Sequence, residues 1–246
     1  MTLKDTTYDP APVIPPFKAV VFDLDDTLYP EQQYALSGFH AAAAYVKTLY
    51  EIEIYDDLVK RFLAGERTNI FGATLARHFK YVEEDLIRKI MYVYWSHNPR
   101  IEMYADARVC LALLISKAVR IGLVTAGQSS IQRKKVAALE LEPLMDSIVY
   151  SDDLLGPKQP CQPCEDSFHI TALQFDMDLS EMIFVGDNPL LDFATPRKLG
   201  MGTVLIRRKH GEHLFDAPPS PDHTPDVTVS SLEMIAGVYK PAGSNS

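Results

Sequence analysis

Three carboxylates fall within four positions where an apolar run stops. Residues 19–30 read AVVFDLDDTLYP, so Asp23, Asp25 and Asp26 follow directly on Ala19, Val20, Val21 and Phe22. On an extended strand Asp23 and Asp25 point the same way, and two like charges that close repel unless a cation sits between them. A hard divalent ion such as Mg2+ fits, since it takes a few carboxylates together with phosphate oxygens. A solvated, Asp-rich turn is the plain alternative. Residues 182–192, MIFVGDNPLLD, repeat the logic: an apolar run, Gly186, then Asp187 and Asp192. Between these two stretches, VRIGLVTAG at 119–127 ends on Thr125, Ala126 and Gly127. Small residues there let backbone N–H groups face an anion, and the Thr hydroxyl adds a donor. The same residues also suit an ordinary strand-to-helix turn with Ser129 or Ser130 as N-cap.

An apolar run of four that ends in polar residues suits a parallel strand covered on both faces, with ligands bound at its carboxyl end. From about Asp106 onward the pattern alternates. Helices are expected at 109–118, 131–139, 168–175 and 190–199, and strands at 119–125, 147–150, 182–185, 203–206 and 227–229. This implies an α/β fold with a doubly wound, mostly parallel, Rossmann-like sheet. Pro196 falls inside the last expected helix, where its missing N–H should bend the chain.

Residues 31–104 carry no strand signal. Leu36, Phe39, Ala43, Val46 and Tyr50 follow helical spacing, as do Leu86, Ile90 and Val93, so an inserted helical subdomain is expected. The division is then an N-terminal arm at 1–16, an α/β core at 17–30 and 105–236, the helical insert at 31–104 and a loose tail at 237–246. Proline in the arm and Pro, Gly and Ser in the tail argue against packed structure there.

The chain has 246 residues, 47% of them hydrophobic, with a formal charge of −9. That is ample for a sizeable core, and the acidity argues against sequence-independent binding to nucleic acid or anionic membranes. No stretch approaches the roughly 20 apolar residues of a span, and residues 1–16 lack the pattern of a secretory leader. Three cysteines make no disulfide framework. A cytoplasmic location is expected; oligomeric state is not legible. Cys161 and Cys164 form a CxxC pair whose redox or zinc reading needs further ligands, for which His169 and Cys110 are available.

The pattern of Asp23, Asp25 and Thr27 at a strand end resembles the first motif of the haloacid dehalogenase-like hydrolase superfamily. Thr125 is similar to its second motif and Asp187 with Asp192 to its GDxxxxD motif. The resemblance implies a helical cap over the site, Asp23 as nucleophile, Asp25 as proton donor and acceptor, and phosphate contacts from Thr125, Ala126 and Gly127. It also implies Mg2+ held by Asp23, the backbone carbonyl of Asp25 and Asp187, with Asp192 in support. The family's Lys, commonly in a KPxPxxF context, has no clean counterpart. Counting back from Phe168 puts Gln162 at that position, and Lys158, four residues earlier, is the expected substitute.

The presence of Asp25 favours phosphate esters, because branches acting on haloacids or phosphonates lack it. The stretch DLDDTLYP further resembles pyrimidine 5′-nucleotidase-like members, which implies a nucleoside monophosphate or sugar phosphate, a small phosphorylated metabolite, as substrate. Arg61, Arg67, Asn69 and His78 are the candidates for choosing it. The alternatives are a phosphosugar mutase with the same nucleophile and a non-catalytic phosphate-binding protein.

Overall fold

The computed structural model describes residues 13–155 and 164–239. Its centre is a six-stranded sheet: β1 (Ala19–Phe22), β2 (Arg120–Thr125), β3 (Ser147–Tyr150), β4 (Met182–Gly186), β5 (Gly202–Ile206) and β6 (Val227–Val229). Their order is β3-β2-β1-β4-β5-β6 and every pairing is parallel. The expected "mostly parallel" sheet is therefore wholly parallel. The winding direction reverses between β1 and β4, the place where open α/β sheets leave a crevice for ligands.

Ten helices accompany the sheet among the described residues. Before β2 come α1 (Glu31–Tyr50), α2 (Tyr55–Leu63), α3 (Ile70–Leu75), α4 (Glu84–Ser96) and α5 (Ala105–Ser116). After it come α6 (Ser129–Ala138), α7 (Ser151–Leu155), α8 (Glu165–Phe175), α9 (Ala194–Lys198) and α10 (Glu233–Val238).

Alternation along β1 divides the core in two. Val20 and Phe22 join Cys110 and Leu114 of α5, Val136 of α6 and Ile235 of α10. Ala19 and Val21 face the other way, toward Phe168 and Phe175 of α8. Period-2 alternation within one continuous apolar run thus serves both faces of a buried sheet. Helices α1 to α4 enclose a third apolar cluster, built on Phe39, Val46, Leu58, Leu75 and Ile90. No described helix is long and apolar enough to cross a membrane.

Three local expectations are corrected. Helix α6 begins at Ser129, with Gln128 as its N-cap and no side-chain capping bond, so neither serine caps it. Helix α9 starts at Ala194, after a turn over 189–192, so Pro196 is its third residue and removes an N–H that has no intrahelical partner anyway. Gly200, with φ of +81°, follows the C-cap Leu199 and ends that helix. Cys110 belongs to the cluster opposite α8, whereas Cys164 stands at the start of α8 against Ser167. The two cannot share a metal. Cys161 lies outside the described residues.

Candidate active site

Register brings the chemistry together. Phe22 lies abreast of Leu123 on β2 and Val185 on β4. Asp23, Thr125 and Asp187 consequently leave the sheet within two residues of one another along the strand direction. The Asp23 N–H still donates to Val185 O at 2.9 Å, so the sheet fixes the first carboxylate directly. A cavity of about 650 Å³ opens here, walled by Asp23, Asp25, Asp187 and Asp192 on the sheet side and by Phe62, Arg67, Tyr94 and Trp95 on the helical side.

The acidic groups are not equivalent. Burial, with Asp192 and Asp25 nearby, holds the Asp23 carboxyl well above the usual carboxylate range. Burial and the charges of Asp23 and Asp192 push Asp187 up to about 10. Asp192 rises to about 7 through burial, moderated by the Asn188 N–H that donates to its Oδ2 at 2.9 Å. No described Lys or Arg forms an ion pair with Asp23, Asp187 or Asp192.

Asp25 is different. Its Oδ1 accepts from the Tyr29 hydroxyl, Lys135 Nζ donates to Oδ1 at 2.7 Å and Oδ2 at 2.9 Å, and Gln132 Nε2 donates to Oδ2 at 2.8 Å. Its backbone carbonyl accepts from Thr27 N at 2.6 Å, which leaves that oxygen a second lone pair. Asp26, the third carboxylate, is structural. It accepts from Glu31 N at 2.9 Å and Glu212 N at 3.0 Å, tying the loop to the start of α1 and to the segment after β5.

The phosphate-contact expectations need adjustment. Thr125 is 1% exposed and lies outside the cavity wall, with its Oγ1 accepting from Gln132 Nε2 at 2.6 Å. Gly127, with φ of +108°, makes the turn, but its N–H donates to Asp152 Oδ1 at 3.2 Å. Ala126 and Gly127 do line the cavity. Lys158 and Gln162 lie outside the described residues.

Of the four residues expected to choose the substrate, only Arg67 lines the cavity, where its Nε is 3.6 Å from Glu212 across the mouth. Arg61 is bound to Glu66 and to the Ala73 carbonyl, Asn69 makes a left-handed turn, and His78 faces Asp57. Lys135 and Gln132 were not foreseen. In the sequence, Lys135 is one of three successive cations with Arg133 and Lys134, and nothing in the run singles it out.

The family model described as haloacid dehalogenase-like hydrolase matches residues 20–206. The chain belongs to this family. It is 26% identical over 237 residues to a glyceraldehyde 3-phosphate phosphatase of Methanopyrus kandleri, covering 91% of this chain and 97% of that protein. It is 27% identical over 205 residues to a ribulose-1,5-bisphosphate 5-phosphatase of Halopiger xanaduensis, covering 76% and 84%. A family hydrolase from Deinococcus radiodurans, solved with phosphate and sodium, superposes with a TM-score of 0.63 at 18% identity, covering 92% of this chain and 99% of that one. A magnesium-bound relative from Bacillus subtilis gives 0.60 at 18% identity, covering 91% and 99%. The chain is thus a hydrolase by family, and the curated relatives named are phosphatases.

Proposed function

We propose that this protein is a Mg2+-dependent phosphatase acting on a small phosphate monoester, a sugar phosphate or nucleoside monophosphate, through an aspartyl-phosphate on Asp23. The observation that carries this reading is the convergence of Asp23, Asp25 and Asp187 at adjacent strand ends around one cavity at the sheet's switch point. The two relatives named above act on phosphorylated sugars, which favours that half of the substrate class.

The donor set fits a hard divalent cation. Asp23 and Asp187 are buried carboxylates of raised pKa without a described cationic partner, and Asp25 O retains a lone pair. Among the described residues no three acidic, His or Cys side chains already converge as a metal cluster. Two carboxylates, one carbonyl and water match the way Mg2+ is usually held. Asp192 supports them through the 188–192 turn. When bound, Mg2+ offsets negative charge on the nucleophile and the phosphoryl oxygens.

The chain's own groups then act in two steps. An Asp23 oxygen bonds to phosphorus as the ester P–O bond breaks, and Asp25 gives the departing oxygen its proton. Asp25 next takes a proton from water as that water's oxygen bonds to phosphorus and the Asp23–phosphorus bond breaks, releasing inorganic phosphate. The turn at Ala126 and Gly127 holds the phosphoryl oxygens, with Lys158 as the proposed cation, since phosphoryl transfer depends on positioning and charge. Thr125 supports that turn from behind Gln132. Helices α1 to α4 serve as a cap that excludes water, and Arg67 meets the substrate's far end.

Phosphate release from p-nitrophenyl phosphate and from a panel of sugar phosphates and nucleotides, with and without Mg2+, tests this beside Asp23→Asn. Metal-dependent turnover that the substitution abolishes supports it. Isomerised ester without free phosphate would point to a mutase, and binding without turnover to a non-catalytic protein.

A further inference from the structure

We propose that Gln132 and Lys135 are positioning residues that lock the Asp25 carboxylate toward the cavity for proton transfer. This rests on the reading of Asp25 as proton donor and acceptor. The two residues are three apart on α6, so their side chains share a face, and both line the cavity.

Both amide N–H groups of Gln132 are used. One N–H of its amide goes to Asp25 Oδ2 at 2.8 Å and the other to Thr125 Oγ1 at 2.6 Å. The amide orientation follows from chemistry, because its oxygen cannot donate to a carboxylate. Gln132 thereby spans the ends of β1 and β2 and ties the Asp25 side chain to the strand beside it.

Lys135 brings a charge. Its side chain is 6% exposed, Nζ contacts both Asp25 oxygens, and the ammonium lies 4.7 Å from the centre of the Tyr34 ring. A buried ammonium persists only where it is paired. With the Tyr29 hydroxyl, these donors place four hydrogen bonds on one carboxylate and hold it in one orientation; when it takes up a proton, one of the four gives way. Burial of an ion pair is by itself weak evidence for a role in stability. This one stands in the cavity wall, and its carboxylate remains 23% exposed.

The experiment compares two leaving groups. A p-nitrophenolate departs with little protonation, whereas the alkoxide of an alkyl ester such as glycerol phosphate needs its proton, and positioned acids contribute about 10²–10⁴-fold. Lys135→Met is expected to lower kcat/KM, which reports steps up to leaving-group departure, at least about tenfold more on glycerol phosphate than on p-nitrophenyl phosphate. Lys135→Arg should restore part of the difference. Gln132→Met removes two hydrogen bonds without stranding a charge, so it gives the same test if Lys135→Met does not fold.

An equal fall in kcat/KM on both esters, or a fall in thermal midpoint with kcat/KM intact on both, overturns the proposal. A wild-type protein that is silent on both esters with Mg2+ removes the phosphatase reading and this proposal together. Active wild type with unselective variants removes only this one.

Discussion

A Cβ built on Gly186 would lie 2.2 Å from Asp192 Oδ2, so the last residue of β4 and the second carboxylate of the following turn occupy the same space. The glycine is there because Asp192 folds back over the strand end. Gly186→Ala must push that carboxylate away and loosen the turn held by Asn188. We expect it to cost about 1–3 kcal/mol, as overpacking does, and to weaken the response to Mg2+. Urea unfolding and a Mg2+ titration of turnover measure the two effects.

Arg208 is 7% exposed; its Nη1 donates to both Asp106 oxygens at 2.7 and 2.8 Å, its Nη2 donates to Thr27 O at 2.6 Å, and its guanidinium lies 3.9 Å from the centre of the Tyr104 ring. It joins the nucleophile loop to the start of α5. Arg208→Ala leaves Asp106 without its partner, and removing one member of a buried pair costs about 3–5 kcal/mol. Chemical denaturation should show that loss, and Arg208→Lys should recover only part of it, because the guanidinium serves Asp106 with one nitrogen, Thr27 O with the other and stacks on Tyr104.

Asp26 sits at φ of 49° and caps two segments through one carboxylate. Asp26→Ala loses both bonds and the residue type that tolerates left-handed backbone, for an expected cost of about 1–2 kcal/mol. Asp26→Asn keeps one acceptor oxygen and should cost less. Thermal unfolding gives the energies, and faster proteolysis within residues 207–216 would show that the second tether had gone.

The metal-free protein should lose stability as pH rises. Asp187 and Asp192 are raised from the ordinary 3.8 to about 10 and about 7 in the fold. Between those limits the folded chain binds more protons than the unfolded one, so the unfolding free energy falls with pH. The stabilising protonation is complete below about pH 4 and gone above about pH 10. Mg2+ should reverse the trend, adding about 2.7 kcal/mol at one hundred times its dissociation constant. Melting curves from about pH 5 to about pH 9 with EDTA or excess Mg2+ read both slopes. A melting temperature that climbs with pH in EDTA would contradict the assignment.

The sheet was legible because each central strand is an apolar run that ends abruptly in Asp or Thr, and such runs at Phe22, Val124 and Val185 need no tertiary information to read. The acidic members of the site came with them. Lys135 was not legible. Its neighbours Arg133 and Lys134 are cations of the same kind in sequence, and only the folded position of α6 beside the loop after β1 brings Lys135 to Asp25. Thr125 was located but not oriented, since the glutamine that covers it arrives from the next helix. Helix starts were misplaced where no side chain caps them, as at Gln128 and Phe193.

The apolar cluster of α1 to α4 shares no buried residue with the two that flank the sheet. Tyr94 bridges them, its ring 5.5 Å from Phe39 and 6.1 Å from Tyr34, so the helices can be repacked away from that pair with little effect on the strand ends. The face presented to a ligand can drift, or be exchanged for that of another lineage, while the reaction beneath it stays the same. Diversification of a catalyst requires that separation, and this chain has it in the division of its core.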